Sequence, residues 1–131
     1  MITCTVHYEL DPDKLDAFET YAKVWIHLVT KLGGTHHGYF LPHEGRAPSR
    51  NRSSGSIQAR AGGAPDKDDR ASCHFSFPSL AAYEAYREKM HDDPECQRAY
   101  AFARQTGCIR RYDRTFERPV LTGAPPQELG L

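Results

Sequence analysis

Four of the seven histidines in this chain fall in short segments with the alternation of β-strands, and they are the residues best placed to do chemistry. They are His7 within Ile2–Leu10, His36 and His37 within residues 35–42, and His74 within residues 71–77. Unperturbed imidazole titrates near pH ~6.5, so it can take and return a proton at neutral pH without special tuning. Strand neighbours face opposite ways, so His36 and His37 must serve different surfaces. The reading adopted here joins His37 to Tyr39 on the face that could carry chemistry and turns His36, Gly38 and Phe40 toward a helical layer. A slip of one residue would exchange the two histidines, and that alternative stays open.

His7 and His74 lie on the polar faces of their strands. Ile2, Cys4, Val6, Tyr8 and Leu10 alternate with Thr3, Thr5, His7 and Glu9, while Cys73, Phe75 and Phe77 alternate with Ser72, His74 and Ser76. On adjacent strands in matching register the β-carbons of His7 and His74 would lie roughly 5 Å apart. With His37 and Tyr39 from a third strand and Arg111 from a fourth, they compose the expected site. In it a histidine acts as general base, and Tyr39 or Arg111 stabilises charge on a carbonyl or enolate oxygen. The plainer alternative is that these histidines satisfy strand-edge carbonyls or fill a dimer cavity. Three imidazoles could also hold zinc or iron, but no H-x-x-x-H or H-E-x-x-H spacing preassembles two ligands, so no metal and no other cofactor is expected. Cys4, Cys73, Cys96 and Cys108 form no C-x-x-C pair and read as buried thiols. Cys96 stands near a helix start, yet Asp92, Asp93 and Glu95 would raise its pKa and make it a poor nucleophile.

The elements that must position these residues are legible in order. After the first strand, Asp11-Pro12 supplies a cap and a first-turn proline. Leu15, Phe18, Ala22, Trp25, Val29 and Leu32 then follow at helical spacing until Gly33-Gly34. The strand with His36 and His37 comes next, then the strand with His74. Pro78-Ser79 opens a helix with the stripe Leu80, Tyr83, Tyr86 and Met90. Asp92-Asp93-Pro94 ends it and caps a shorter helix carrying Cys96, Ala99, Tyr100 and Ala103, and residues 108–116 form the last strand. The order βαββαβ predicts an α+β, ferredoxin-like domain over residues 1–118, with a four-stranded antiparallel sheet, helices on one face and spatial strand order four, one, three, two. The other face is half polar, in Thr, His and Ser, and calls for a cover. A second copy packed sheet to sheet would supply it, giving a homodimeric α/β barrel. Residues 119–131 read as a tail that crosses onto a neighbour or stays loose.

Composition excludes several function classes. Seventeen basic residues balance seventeen acidic ones, so no net field steers the chain toward nucleic acid or anionic membrane. Residues 45–70 lack apolar periodicity and aromatic residues, and read as a long loop between the second and third strands, dispensable for folding. Its Arg46, Arg50, Arg52 and Arg60 offer no stacking platform for bases. The first residues have neither the basic nor the apolar region of a secretory signal, and Lys23 and His27 interrupt the most apolar run. A cytoplasmic protein with no membrane and no nucleic-acid partner is the expectation.

Three segments resemble the NIPSNAP family: Gly33-Gly34-Thr35-His36-His37-Gly38-Tyr39-Phe40-Leu41-Pro42-His43-Glu44-Gly45, then Phe75-Ser76-Phe77-Pro78-Ser79-Leu80-Ala81-Ala82-Tyr83-Glu84-Ala85-Tyr86-Arg87, and Asp93-Pro94-Glu95-Cys96. Arg110-Arg111-Tyr112 to Arg118-Pro119 is similar as well. The resemblance implies a ferredoxin-like subunit pairing into a dimeric α/β barrel, and no settled catalytic residues come with it. By analogy of fold, related barrels include cofactor-independent monooxygenases, isomerases and haem-handling proteins. The functional expectation is a small, partly apolar organic molecule held in the dimeric barrel cavity, with oxygenase or isomerase chemistry on a histidine base. Its rival is a noncatalytic binding or scaffold module.

Overall fold

The computed structural model describes residues 1–43 and 69–130. Its elements are β1 (Ile2–Leu10), α1 (Leu15–Lys31), β2 (Thr35–Phe40), β3 (Arg70–Phe77), α2 (Leu80–Asp92), α3 (Pro94–Thr106) and β4 (Ile109–Glu117), with 3-10 turns at Pro12–Lys14 and Pro126–Leu129. The four strands form one antiparallel sheet in the order β2-β3-β1-β4. This is the α+β, ferredoxin-like arrangement that the element order predicts, with the second helical stretch divided at Asp93. The expectations for Arg46, Arg50, Arg52 and Arg60 lie outside the described residues.

Period-two patterning decides the two faces. Cys4, Val6, Tyr8 and Leu10 of β1 and Cys73, Phe75 and Phe77 of β3 are buried beneath the helices. Over them α1 lays Phe18, Tyr21, Ala22, Trp25, Leu28 and Val29, and α2 lays Tyr83, Tyr86 and Met90. Leu80, placed in the α2 stripe from the sequence, is exposed at the helix start instead. The four cysteines are all buried and free. Burial, followed by the charge of Asp93, raises the Cys96 thiol to about 11, so it stays protonated.

Local signals end and join the helices as expected. The Asp11 carboxylate accepts a hydrogen bond from the Asp13 N–H at 3.0 Å, and Pro12 follows it. Asp93 ends α2 and caps α3, its Oδ1 accepting from the N–H groups of Glu95 and Cys96 at 2.8 and 3.1 Å. The Lys31 ammonium, at the end of α1, lies 2.8 Å from both Asp93 and Glu95 and ties the two helices together. Gly34 is required for close approach: a Cβ there would stand 2.7 Å from the Phe77 ring and 2.8 Å from Val29 Cγ1.

One departure changes which residues share a face. On β2 the pairing with β3 runs His36 with Phe75 and then Tyr39 with Cys73, so an extra residue is accommodated between them. Gly38 makes this bulge possible with φ of 110°, a conformation that side-chain-bearing residues rarely adopt. Tyr39 therefore joins His36 on the helical side, and Phe40, 57% exposed, emerges on the open face. Strict alternation predicts the reverse for both.

Candidate functional site

The open face of the sheet carries His7, His37 and His74, as the alternation predicts, but register separates two of them. His74 stands opposite Thr5, and His7 stands opposite Ser72 and Asp113. The direct His7–His74 pair expected from matching register is thus a diagonal one. The Thr5 hydroxyl donates to Glu117 Oε1 at 2.5 Å. Its single proton being used there, it accepts from His74 Nδ1 at 2.9 Å. Glu117 also receives the Thr115 hydroxyl at 2.7 Å. The bonds from Thr115 and then Thr5 hold its carboxyl below the ordinary range. A second cluster links His37 Nε2 to Ser76 Oγ at 2.8 Å and Ser76 to Thr3 at 2.6 Å.

Thr3, Thr5, His7, His37, His74 and Glu117 line an open depression of about 510 Å³, bordered also by Pro119, Val120 and Leu121 of the tail. Two residues assigned to this site from sequence are elsewhere. Tyr39 is on the opposite face, displaced by the Gly38 bulge. Arg111 lies beside Glu9, at 2.6 and 2.8 Å, in a different shallow depression shared with His7. Its charge is already matched there. Among the described residues no group of three or more His, Cys, Asp or Glu side chains is arranged to hold a metal ion.

His36 is a packing residue. Its ring stacks on Tyr39 at 5.0 Å and on Phe75 at 5.6 Å between centroids. Gly38 N–H donates to its Nδ1 at 2.9 Å, so the neutral ring carries its proton on Nε2, a buried atom with no hydrogen-bond partner among the described residues. Burial first, then the neighbouring imidazoles of His37 and His74, push its pKa down to about 4.

The deeper site lies between the sheet and the helices, and sequence reasoning missed it. A cavity of about 240 Å³ is lined by Tyr8 of β1, Tyr21 and Trp25 of α1, Tyr39 of β2, Tyr83 and Tyr86 of α2, Tyr100 of α3, and Tyr112 and Arg114 of β4. These include all seven tyrosines of the chain and its single tryptophan. Arg87 and Arg104 also border the cavity, and among the described residues no acidic one does. Two buried donors on its wall, Trp25 Nε1 and Arg114 Nε, have no hydrogen-bond partner among the described residues. Burial raises the phenol pKa of Tyr8, Tyr21, Tyr39, Tyr86 and Tyr100, so these hydroxyls remain protonated and able to donate. A signal for Arg114 was present: it alternates with Tyr112 and Phe116 in the last strand, which marks a cation on an otherwise aromatic face. No comparable signal exists for the tyrosines, which come from every strand and helix except β3.

Comparison with known proteins agrees with this architecture. The NIPSNAP family model matches residues 5–50 and 70–122. The chain belongs to the NIPSNAP family. Its fold is shared with a NIPSNAP family protein of unknown function from Agrobacterium tumefaciens, at TM-score 0.63 and 16% identity over 91% of this chain and 87% of that one. It is shared also with an uncharacterised NIPSNAP domain protein from Burkholderia xenovorans, at TM-score 0.61 and 14% identity over 95% and 100% of the two chains. A protein of Nitrosomonas europaea assigned to antibiotic biosynthesis monooxygenases aligns at TM-score 0.58 and 9% identity, covering 92% of this chain and all of its own. Among curated proteins, none matches the sequence. Among the described residues, no helix is long and apolar enough to cross a membrane.

Proposed function

We propose that this NIPSNAP protein binds one small, planar, partly apolar organic molecule per subunit, held in the cavity between the sheet and the helices. The observation that carries the reading is the gathering of all seven tyrosines and the only tryptophan on one cavity. Aromatic walls with hydroxyl tips around a space left unfilled offer stacking surfaces and a few directed hydrogen bonds. At about 240 Å³ the space suits one or two fused rings. This moves the expected ligand from the dimer cavity into the subunit.

The lining also bears on chemistry. No histidine borders this cavity, and phenols with raised pKa values are poor bases at neutral pH, so binding rather than histidine-driven turnover is the reading there. A second reading keeps oxygenase or isomerase chemistry on the open face, where the Glu117–Thr5–His74 chain could pass a proton to a molecule in the depression. Closing that depression calls for a second copy of the chain. Thr3, Thr5 and Ser76 already have partners within the sheet, while Phe40, Val120 and Leu121 remain exposed around them, which supports a homodimer through this face.

Trp25 supplies the test, because its fluorescence reports from the cavity wall. Titration with 2-acetylnaphthalene, a neutral bicyclic ketone, is expected to be saturable at one per subunit. Ala103→Phe, which fills the cavity from α3, is expected to abolish binding while the protein still melts cooperatively. Binding unaffected by Ala103→Phe, or failure of the wild type to bind either this ketone or a charged naphthalene of the same size, overturns the reading.

A further inference from the structure

We infer that the ligand is an organic anion, an aromatic carboxylate whose ring lies among the tyrosines and whose charge is received by Arg114. The inference rests on the cavity reading above and adds the chemical class. It starts from an imbalance in the lining. Two polar atoms buried there, Trp25 Nε1 and Arg114 Nε, are obligate donors that meet no acceptor in good hydrogen-bond geometry among the described residues; their nearest polar neighbours are the Tyr21 hydroxyl and the Cys4 thiol. Three arginines border the cavity and, among the described residues, no carboxylate does. Among the described residues none of Arg87, Arg104 and Arg114 forms a salt bridge, although seven other ion pairs exist in the structure.

Arg114 is the unusual member. It sits opposite Val6, on the side of β4 that faces the helices, and its guanidinium lies 5.7 Å from the centre of the Tyr112 ring. A half-buried guanidinium stays charged, and leaving it unpaired costs free energy that an acceptor would recover. An uncharged acceptor would satisfy a single donor. A carboxylate matches the planar fork with two parallel bonds and also neutralises the charge, which a ketone or ether cannot do. The volume of about 240 Å³ suits a small ring system as the remainder of the molecule.

The test compares 2-naphthoate with 2-acetylnaphthalene, which differ mainly in a carboxylate replacing an acetyl group of similar shape. Binding followed by Trp25 fluorescence is expected to favour the acid by about ten-fold or more, the yield of one charge-assisted pair. Arg114→Met should bring the two within about three-fold by weakening the acid and leaving the ketone unchanged. Equal affinities in the wild type, or preference for the ketone, overturn this inference and leave the cavity reading standing. Binding of neither probe removes the cavity reading and this inference with it. The wild-type comparison needs no substitution, so it decides even if Arg114→Met does not fold.

Discussion

Replacing His36 with phenylalanine tests whether the bulge at Gly38 really turns this ring into the helical layer. The substitution keeps the stacked contacts with Tyr39 and Phe75 and removes the titrating group. In the folded chain the pKa of His36 is pushed down from 6.5 to about 4, first by burial. The unfolded chain therefore binds more protons between these values. Stability is whole above pH 6.5 and declines as pH falls toward 4. Between pH 7 and pH 5 a shift of this size sets a ceiling of ~2 kcal/mol, and the partial solvent access of a half-buried ring reduces it to about 1 kcal/mol. Urea unfolding at pH 7 and pH 5, read by Trp25 fluorescence, measures the loss in each protein. The wild type is expected to lose about 1 kcal/mol more than His36→Phe across that interval. Glu9, Asp93, Glu95 and Glu117, whose carboxyl pKa values are lowered by their partners, lose their contribution at lower pH and are common to both proteins. Identical pH dependence in the two proteins would refute the reasoning, for it would mean that His36 is solvated and the strand is not bulged.

Two further predictions concern packing and assembly. Gly34→Ala forces a methyl group against Phe77 and Val29, and is expected to lower unfolding stability by about 1–3 kcal/mol in urea titration; an unchanged midpoint would mean that the turn after α1 does not lie so close to Phe77. The wild type should sediment as a dimer at micromolar concentration and Phe40→Glu as a folded monomer, since the charge falls on the exposed ring of the open face. A monomeric wild type would remove the homodimer and the chamber built on it.

Much of this architecture follows from local information in the sequence. Alternation in Ile2–Leu10 and across Ser72 to Phe77 assigns the two faces of the sheet, because strand geometry admits no other projection of those side chains. Asp11-Pro12, Asp93-Pro94 and Gly107 mark helix ends through hydrogen bonds and dihedral angles that reach only a few residues. Tertiary structure decided the rest. Placing His74 opposite Thr5 rather than His7 is a matter of register between distant strands, and a shift by two residues preserves every face, so the hydrophobic pattern cannot detect it. The positive φ of Gly38 reverses the facing of Tyr39 and Phe40, while the amino-acid order shows only one more glycine in a strand. The cavity is the least local feature of all. Its seven tyrosines are scattered from Tyr8 to Tyr112, Tyr39 reaching it only through the Gly38 bulge, and what gathers them is the space left where three helices cross one sheet.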